Sequence, residues 1–450
     1  MLLEISTDHW ELRWPRSETQ IAVIGEEPIN VTRWLRDVAA ATQWLAKSEG
    51  NALLYQRNWY RFSVWFFALL NCQKRVILPA NDKPATLTEL SVHYSFRVPD
   101  ELPSSVGLDT PEFGLAGQLD AGVTFFTSGS SGKPKAVEKT LRQLWLEVMT
   151  LERTFSEQLG SADVVTTVTH QHIYGFLFTV LWPIAAGRSV TIPLIDYPEQ
   201  LQQILAKAGR QRYALISSPA HLQRLDNLSR LTQYSQSLAM IFSSGGPLPD
   251  SVPTAFAENG LMVPTEVYGS TETGGIAWRQ RTSGSSDSFT PLAGVNVSCD
   301  ENGKLVIQSP YLNNAKSSYL TEDKVELEEQ GGFQLLGRQD RIAKIAEKRV
   351  SLNEVEAFAL RHDWVESAKV CVLHSPRVEL GLVLVLTPKG NAELNSLGRF
   401  KARQELRHHL LQRFDKVVVP KRFRYRQQLP YNDAGKITQA DLIALFEKDK

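Results

Sequence analysis

Apolar residues recur at helical spacing early in the chain, and short strand-like apolar runs interrupt them. Residues 31–46 (VTRWLRDVAAATQWLA) place apolar side chains three and four positions apart, which predicts an amphipathic helix. NALLYQ, FSVWFFALL and RVILP follow before residue 80. This succession of helices and strands predicts a layered α/β domain. Residues 81–120 are richer in Pro, Asp, Thr and Ser and are expected to form loops and short strands.

A regular alternation of strand and helix occupies residues 164–261. The apolar runs VVTTVT, SVTIPL, YALISS and LAMIFSS alternate with helical segments such as PEQLQQILAKAG. This is the pattern of a parallel sheet built from βαβ units.

The pattern changes again from Gly303 onward. KLVIQSP and KVELEEQGGFQLLG predict hairpins, because the paired glycines stand where a turn is needed. Beyond Asp340 the chain reads RIAKIA, SLNEVEAFALRH, AKVCVLH and LGLVLVLTP, followed by a predicted long helix from about residue 397 to 414. A chain of 450 residues exceeds what one core usually supports. We therefore expect an α/β fold with a large N-terminal domain of layered α/β subdomains, residues 1–338, and a small C-terminal α+β domain, residues 339–450.

Composition and charge narrow the function classes. Hydrophobic residues make up 42% of the chain and charged residues 22%, as in ordinary folded domains. Lys plus Arg and Asp plus Glu both number 49, so the overall charge does not indicate nucleic acid or an anionic membrane as a partner. Cys72, Cys299 and Cys371 are far apart, which excludes a disulfide framework and a thiolate metal site.

The sequence also predicts a cytoplasmic location. The acidic N-terminal stretch MLLEISTDHWELRW has no apolar run after a basic start and is not expected to be a signal peptide. The most apolar stretch, FSVWFFALL, is too short to span a membrane and is expected to form a buried helix.

A glycine-rich segment gives the clearest chemical signal. The apolar strand VTFF leads directly into TSGSSGKPK, residues 127–135. Glycines allow backbone N–H groups to converge, and hydroxyls and lysines add donors, which suits a polyphosphate. It is not the P-loop of NTPases, because Thr127 and Pro134 stand where that pattern requires Gly and Ser or Thr, and GxGxxG is also absent. A polar surface hairpin is the alternative interpretation of this segment alone.

Four further segments carry groups that suit a nucleotide. They are VYGSTETG, YLTED, GRQDR and DAGKI, at residues 267–274, 319–323, 337–341 and 433–437. The first supplies an aromatic plane, hydroxyls and one carboxylate, which suit adenine stacking, a phosphate contact and a Mg²⁺ ligand. Taken singly, each also has a structural explanation: Tyr268 as a core aromatic, Asp323 as a turn residue and Lys436 as a solvated loop tip.

In this order and spacing, the segments resemble those of the adenylate-forming superfamily. That group includes acyl-CoA and aryl-CoA synthetases, adenylation domains of peptide synthetases, and firefly luciferase. The likeness extends over residues 123–442. It implies a large domain that binds ATP and a carboxylic acid, and a small mobile C-terminal lid that rotates between two half-reactions. It also implies ATP and Mg²⁺ as cofactors, with CoA or a phosphopantetheine arm as the acceptor.

The resemblance implies roles for two loops. The glycine-rich loop would cradle the β- and γ-phosphates through Thr127, Ser128, Gly129, Ser130, Ser131 and Gly132. Lys135 would brace that loop. The second loop would flank the adenine with its backbone through Ser244, Gly245, Gly246 and Pro247.

Single residues also receive roles from the resemblance. In the segment that contains Gly269, Tyr268 would stack on the adenine, Thr271 would contact the α-phosphate and Glu272 would bind Mg²⁺. Lys436 would bridge the substrate carboxylate and the α-phosphate.

Three further positions match the ribose site and the hinge. Asp323 and Arg338 would hold the ribose, and Asp340 corresponds to the hinge between the two domains.

The acid substrate is specified only by class. His172 and Gly175 match the His-x-x-Gly segment that lines the acid pocket of acyl- and aryl-CoA ligases. His170 and His172 without a third ligand do not indicate a metal site. No Asp matches the residue that binds the α-amino group in peptide-synthetase adenylation domains, which favours a fatty or aromatic acid over an amino acid.

Two features bear on the acceptor. Glu347 stands where most relatives have a glycine that lets the backbone approach the pantetheine arm, so either this chain routes the arm differently or its acceptor is not a thiol. Residues 399–426 contain ten Lys or Arg against two acids. This basic face suits the phosphates of CoA or the acidic surface of an acyl carrier protein; a merely solvated helix face is the alternative.

The sequence therefore predicts an AMP-forming ligase that makes an acyl-adenylate from a small hydrophobic carboxylic acid. The acyl group would pass to a phosphopantetheine thiol, with an acyl carrier protein preferred over free CoA. Two alternatives stay open: transfer to a non-thiol acceptor, and a catalytically inactive nucleotide-binding scaffold. The intact Lys436, Glu272 and residues 127–132 argue against the scaffold.

Overall fold

The computed structural model describes residues 3–5, 10–12, 19–109, 119–128, 134–225, 228–282, 287–312, 317–329, 331–338, 341–345, 348–374, 378–432 and 436–447. Contacts divide the chain into two compact units. The first comprises Met1–Ser298, Val306–Tyr319 and Glu328–Gly332, and the second comprises Cys299–Leu305, Leu320–Leu327 and Phe333–Lys450. The functional domain boundary at residues 338 and 339 stays a prediction.

The first unit alternates strands and helices, as the apolar pattern predicts. Its strands are β1 Leu3–Ile5, β2 Trp10–Leu12, β3 Gln20–Ile24, β4 Glu27–Asn30, β5 Ala52–Leu53, β6 Val76–Leu78, β7 Phe96–Arg97, β8 Gly122–Ser128, β9 Pro134–Thr140, β10 Asp163–Thr166, β11 Val190–Ile192, β12 Tyr213–Ser217, β13 Leu238–Ser243, β14 Thr265–Ser270, β15 Gly274–Gln280 and β16 Thr290–Pro291. Its helices are α1 Val31–Leu45, α2 Trp59–Asn71, α3 Pro84–Leu90, α4 Leu141–Leu159, α5 Ile173–Phe176, α6 Trp182–Ala186, α7 Pro198–Ala206, α8 Pro219–Leu222, α9 Ser229–Thr232 and α10 Ser251–Glu258. A π-helical turn, Leu177–Leu181, joins α5 to α6.

Most strands of the first unit belong to two sheets. The larger has the order β16-β15-β14-β13-β12-β10-β11-β3-β4, and the smaller has the order β7-β5-β6-β8-β9. In the larger sheet β11, β10, β12, β13 and β14 run parallel to one another, which confirms the predicted parallel sheet, and β15 is antiparallel to β14. Because the carboxyl ends of parallel strands meet at one edge, the loops after β10, β12, β13 and β14 open on the same side of the molecule.

One hydrophobic core holds the helices against both sheets. Trp34 of α1, Trp65 of α2, Trp145 of α4 and Phe176 of α5 are at most 1% exposed and belong to one cluster. Burying a large apolar side chain contributes about 1.5–3 kcal/mol, so α2 is fixed firmly. The prediction that FSVWFFALL forms a buried helix is confirmed, since every one of these residues lies in α2 and is 0% exposed. No helix in the described ranges is long and apolar enough to cross a bilayer.

The second unit is rich in hairpins and short sheets. Its elements are β19 Tyr319–Leu327, β20 Phe333–Arg338, β21 Ile342–Ile345, β22 Lys348–Ser351, α11 Leu352–Ala359, β23 Val365–Leu373, β24 Glu379–Leu386, α12 Pro388–Leu411, β25 Arg422–Arg426 and α13 Gln439–Glu447. β17 Asn296–Cys299 and β18 Lys304–Gln308 contain residues of both units, and so does β19, whose first residue Tyr319 belongs to the first unit. β19 pairs with β20, β21 with β22, and β23, β24 and β25 form a third sheet. The predicted hairpins are confirmed.

Two element boundaries differ from the sequence prediction. α3 occupies part of the stretch expected to hold only loops and strands, because Pro84 at its first turn is compatible with a helix start. The last long helix begins at Pro388 rather than near residue 397, since the Thr387 hydroxyl accepts a hydrogen bond from the Gly390 N–H at 3.1 Å. Gly398, with φ 75°, then breaks α12 into two segments.

Candidate active site

The predicted phosphate-binding loop connects two paired strands. β8 runs antiparallel to β9, and the register places Thr127 opposite Lys135 and Ser128 opposite Pro134. Phe125 and Phe126 of β8 are at most 3% exposed, so the core fixes this strand. Gly129, Ser130, Ser131 and Gly132 lie outside the described residues. Because β8 and β9 are paired and β8 is packed in the core, Thr127 and Lys135 at the two ends of the loop have fixed positions.

Two lysines of β9 hold Glu272 from one side. Lys135 and Lys139 are four residues apart in the strand and therefore point to the same face of the sheet. The Lys135 ammonium forms an ion pair with the Glu272 carboxylate at 2.6 Å. The Lys139 ammonium donates to the backbone carbonyl of Glu272 at 2.7 Å and to that of Tyr311 at 2.8 Å. The predicted Mg²⁺ ligand is thus tied, through side chain and backbone, to the hairpin that carries the glycine-rich loop.

The turn that carries Thr271 and Glu272 is closed by its own hydroxyls. The Ser270 N–H donates to the Thr273 hydroxyl at 3.1 Å, and the Thr273 N–H donates to the Ser270 hydroxyl at 3.2 Å. Gly269 has no room for a side chain, because a Cβ there would lie 2.4 Å from the Gly274 carbonyl oxygen. These contacts fix the backbone on both sides of Glu272.

Tyr268 and the second predicted loop lie at the ends of adjacent strands. Tyr268 is half-buried in β14, with its ring centroid 5.6 Å from that of Phe289. Ser244 follows β13, and its hydroxyl donates to the Val267 carbonyl at 2.8 Å. Gly245 adopts φ 93°, which favours glycine, and Gly245, Gly246 and Pro247 are exposed.

The histidine segment after β10 contains one buried and one half-buried histidine. His170 is 5% exposed and its Nε2 lies 2.7 Å from the Gln56 carbonyl oxygen. Burial lowers the pKa of His170 to about 4, so the imidazole is neutral and Nε2–H is the donor. Gly175 is required by packing, because a Cβ would lie 2.0 Å from the Thr169 carbonyl oxygen. His172 is half-buried at the start of α5, and its place in an acid pocket stays a prediction.

The remaining predicted residues belong to the second unit. Asp323 of β19 is the direct partner of Arg338 of β20. The side chain of Arg338 and all of Asp340 lie outside the described residues, as does Glu347.

The backbone of Lys436 forms two hydrogen bonds with Asn432. Lys436 is exposed. Its N–H donates to the Asn432 side-chain oxygen at 2.9 Å, and the Asn432 N–H donates to the Lys436 carbonyl at 2.8 Å. Asn432 therefore fixes the backbone of Lys436, and the lysine is accessible to solvent.

The chain after Asp340 is anchored within the second unit. The Arg341 guanidinium forms an ion pair with the buried Glu356 and donates to the Asn353 side chain at 2.7 Å. The Val370 N–H also donates to Glu356 at 2.8 Å. Although burial acts to raise the pKa of Glu356, the charges of Lys369 and Arg341 lower it overall, so the carboxylate stays ionised.

Sequence reasoning missed a buried acid and base behind Glu272. Lys139 is 3% exposed and Glu147 of α4 is 4% exposed. The Gly275 N–H donates to the Glu147 carboxyl at 2.6 Å, and a Cβ on Gly274 would lie 2.5 Å from that carboxyl. Burial lowers the pKa of Lys139 to about 8 and raises the pKa of Glu147 to about 7. The available signal was Glu147 itself, an acid three residues after the apolar Leu144 and four residues before the apolar Leu151.

The ionisation of Glu272 differs from that of Glu147. Burial acts to raise the pKa of Glu272, but the hydrogen bond and charge of Lys135 lower it overall. The hydrogen bond to Glu272 in turn raises the pKa of Lys135. Near neutral pH Glu272 is therefore a carboxylate, which is the form that binds a cation.

The donor groups fit a nucleotide with Mg²⁺. A magnesium ion bound with a nucleotide usually takes one or two protein carboxylates and leaves its other positions to phosphate oxygens and water. The Glu272 carboxylate and the hydroxyls of Thr127 and Thr271 supply such groups.

The Glu147 carboxyl is expected to make stability fall as pH rises from about 4.5 to about 7. Between its ordinary pKa of 4.5 and its folded value of about 7, the folded state binds more protons than the unfolded state, so the free energy of unfolding decreases with pH. In Glu147→Gln this contribution is absent. Between pH 5 and pH 7, urea unfolding should show the free energy of unfolding of Glu147→Gln rising relative to that of the unmodified protein by about 2 kcal/mol. If the free energies of unfolding of the two proteins changed with pH by the same amount, the raised pKa of Glu147 would be contradicted.

The chain is similar to a protein family, to two named relatives and to one solved structure. The AMP-binding enzyme family model matches residues 52–308. The chain is 27% identical over 320 residues to a 4-coumarate–CoA ligase of Cereibacter sphaeroides, covering 70% of this chain and 69% of that protein. It is 25% identical over 358 residues to a D-alanine–D-alanyl carrier protein ligase of Staphylococcus epidermidis, covering 71% and 70%. The crystal structure of ATP-bound MatB from Rhodopseudomonas palustris shares the fold, with a TM-score of 0.76 at 16% identity over 96% of both chains.

Proposed function

Because the chain belongs to the AMP-binding enzyme family, we propose that it is an AMP-forming ligase that joins a hydrophobic fatty or aromatic carboxylic acid to a phosphopantetheine thiol. ATP and Mg²⁺ would serve the first half-reaction, and an acyl carrier protein or CoA would supply the thiol in the second. One observation carries the proposal. Lys135 forms an ion pair with the Glu272 carboxylate and Lys139 donates a hydrogen bond to the Glu272 carbonyl. These contacts connect the proposed metal-binding turn to the hairpin of the glycine-rich loop.

In the first half-reaction, a carboxylate oxygen of the acid attacks the α-phosphorus of ATP and pyrophosphate leaves. Two anions must approach each other, and negative charge grows on the phosphoryl oxygens. Preorganised positive charge lowers this barrier, because it needs no reorganisation during the reaction. Lys436 would supply that charge beside the carboxylate. Mg²⁺ bound by Glu272 would neutralise phosphate charge, and Thr271 would donate to the α-phosphate.

The nucleotide would lie along the carboxyl edge of the large sheet. Residues 127–132 would bind the β- and γ-phosphates, with Lys135 bracing their loop. Tyr268 would stack on the adenine beside the backbone of residues 244–247, and Asp323 with Arg338 would bind the ribose. The exposure of Gly245 and Gly246 supports this placement, because a base can approach a backbone that bears no side chain.

In the second half-reaction, a thiol sulfur attacks the acyl carbonyl carbon and AMP leaves. We propose that residues 339–450 form the lid that turns about Asp340 between the two steps. The ion pair of Arg341 with Glu356 supports a lid that moves as one body, since it holds the chain beyond Asp340 within the second unit.

The proposed substrate class rests on the relatives and on the pocket segment. The CoA ligase among the relatives is named for an aromatic acid, and the carrier protein ligase for an amino acid. His172 and Gly175 would line the pocket. Gly175 packs so closely against the Thr169 backbone that there is no room for a Cβ. This close packing supports a fixed backbone position for the pocket lining.

The test is acid-dependent pyrophosphate release with hydroxylamine as a trap, over a panel of fatty, benzoic and cinnamic-type acids. We expect release and hydroxamate formation with one acid class and neither with amino acids. ATP binding without release for every acid would favour the inactive scaffold. Hydroxamate formation without thioester formation on CoA or a carrier protein would favour the non-thiol acceptor.

A further inference from the structure

The second segment of α12 carries a row of arginines along one side. Gly398 interrupts the helix, and Arg399, Arg403 and Arg407 then follow at intervals of four residues. Side chains four residues apart on a helix are neighbours. The row extends over nine residues, or about 12 Å of helix.

No carboxylate of the described residues pairs with these arginines. The ion pairs of this region instead join Lys389 to Asp363, Arg413 to Glu354 and Lys421 to Glu379; these three pairs leave the row untouched. The Arg407 guanidinium donates to the Pro420 carbonyl at 2.8 Å, which fixes one end of the row without neutralising it.

The charges of the arginines act on Tyr425 of β25 and on one another. The phenol of Tyr425 has a pKa raised to about 12 by burial, and the charges of Arg403 and Arg399 act against that shift. Burial lowers the pKa of Arg407, and the charge of Arg403 adds to the effect. The positive charges are therefore close enough to repel one another.

This arrangement opposes helix stability. Like charges four residues apart destabilise a helix, and cations in its first turn oppose the helix dipole. Arg399 stands at the start of the segment, directly after the break at Gly398, with the exposed Lys401 close behind. The repulsion lowers the stability of the helix, and no carboxylate of the described residues offsets it. We expect such an arrangement where an anionic partner binds and neutralises the charges.

Apolar side chains stand beside the row. Phe400 is 61% exposed and Leu397 is 38% exposed, and the Arg403 guanidinium lies 5.5 Å from the Phe400 ring centroid. An exposed aromatic ring within a basic surface is typical of a protein contact rather than of a solvated face.

We propose that Arg399, Arg403, Arg407, Phe400 and Leu397, together called the arginine face, form the docking surface for an acidic acyl carrier protein. This inference rests on the proposed function and names the partner of its second half-reaction. A charged row of about 12 Å with apolar neighbours matches the side of an acidic helix. The clustered phosphates of CoA would engage only part of it and would leave Phe400 exposed.

The experiment compares two double variants. Arg399→Glu/Arg403→Glu, the arginine variant, reverses two charges of the arginine face, and Lys47→Glu/Arg210→Glu is the control. The control reverses the same number of charges at exposed positions of the first unit. Arg407 is kept because it also holds the Pro420 carbonyl. Each protein is assayed for acid-dependent pyrophosphate release, and for thioester formation on the phosphopantetheine form of a fatty-acid-type acyl carrier protein, on CoA and on pantetheine.

We expect the arginine variant to raise the KM for the carrier protein by about tenfold or more, with kcat unchanged and a weaker dependence of KM on salt. Pyrophosphate release and the KM values for CoA and pantetheine should stay as in the unmodified protein. The control should match the unmodified protein throughout.

Four outcomes would overturn the inference. The first is an unchanged KM of the arginine variant for the carrier protein, and the second is an equal rise in its KM for CoA. The third is an unmodified enzyme that acylates CoA but not the carrier protein. The fourth is binding of the unmodified enzyme to phosphatidylserine-containing vesicles that the arginine variant loses. The second would assign the arginines to CoA phosphates and the fourth to a membrane surface. Absence of pyrophosphate release in the unmodified enzyme would instead overturn the proposed function, and the inference with it.

Discussion

Replacing Lys436 with alanine is expected to slow adenylate formation by about a hundredfold or more, as does the loss of one preorganised donor at a developing negative charge. The side chain of Lys436 is exposed, and its backbone is held by hydrogen bonds with the side chain and the backbone of Asn432. The substitution should therefore leave the free energy of unfolding unchanged within about 0.5 kcal/mol. Acid-dependent pyrophosphate release under saturating ATP is the measurement.

Lys416→Ala is the matched control for this prediction. Lys416 is an exposed lysine of the same unit, and its removal should change neither stability nor pyrophosphate release. Thioester formation from a chemically prepared acyl-adenylate should survive in Lys436→Ala, because the lysine acts in the first half-reaction. Pyrophosphate release within a factor of about three of the unmodified rate would contradict the role of Lys436.

Replacing Lys139 with methionine is expected to reduce both stability and activity strongly. Methionine fills a similar volume but donates no hydrogen bond, so the carbonyls of Glu272 and Tyr311 lose the donor that they share. The buried Glu147 also loses its nearby positive charge. We expect the free energy of unfolding to fall by about 3 kcal/mol, and the Mg²⁺ concentration for half-maximal activity to rise about tenfold because the Glu272 turn is no longer fixed.

Lys74→Met separates this effect from a general loss of stability. The Lys74 ammonium also donates to a backbone carbonyl, that of Ser48 at 2.5 Å, but it has no contact with the Glu272 turn among the contacts of the described residues. It should lower stability without changing the Mg²⁺ requirement. In Lys139→Met/Glu147→Gln, stability should recover in part because no buried carboxyl is left uncompensated, whereas the Mg²⁺ requirement should stay high. Full recovery of both would contradict the positioning role of Lys139.

The fold was predictable where local patterns are strong. The apolar runs that became β10, β12 and β13 are each nearly fully buried, and such runs have few alternatives to a central strand. The helix α2 was equally clear, since it is apolar on all sides and buried on all sides. The start of α12 was missed because its first turns, KGNAELNS, are polar and lack an apolar stripe, so that the cap at Thr387 and Pro388 was the only signal.

The candidate site was predictable only through its motifs. Tyr268, Glu272 and Lys135 stand in recognisable segments, and the structure brings Lys135 and Glu272 into contact across 137 positions of the chain. Lys139 and Glu147 belong to no motif. Their roles arise from tertiary contacts with the backbone of Glu272 and Gly275, which spacing along one strand or helix does not reveal.

The most direct test of acid activation is the fate of the oxygen atoms of the carboxylic acid. With an acid labelled with ¹⁸O in its carboxylate, attack on the α-phosphorus followed by acyl transfer leaves one labelled oxygen in AMP and none in pyrophosphate. Mass spectrometry of the products of one complete turnover would show this directly. Label in inorganic phosphate together with ADP, or AMP without label, would contradict formation of an acyl-adenylate by this protein.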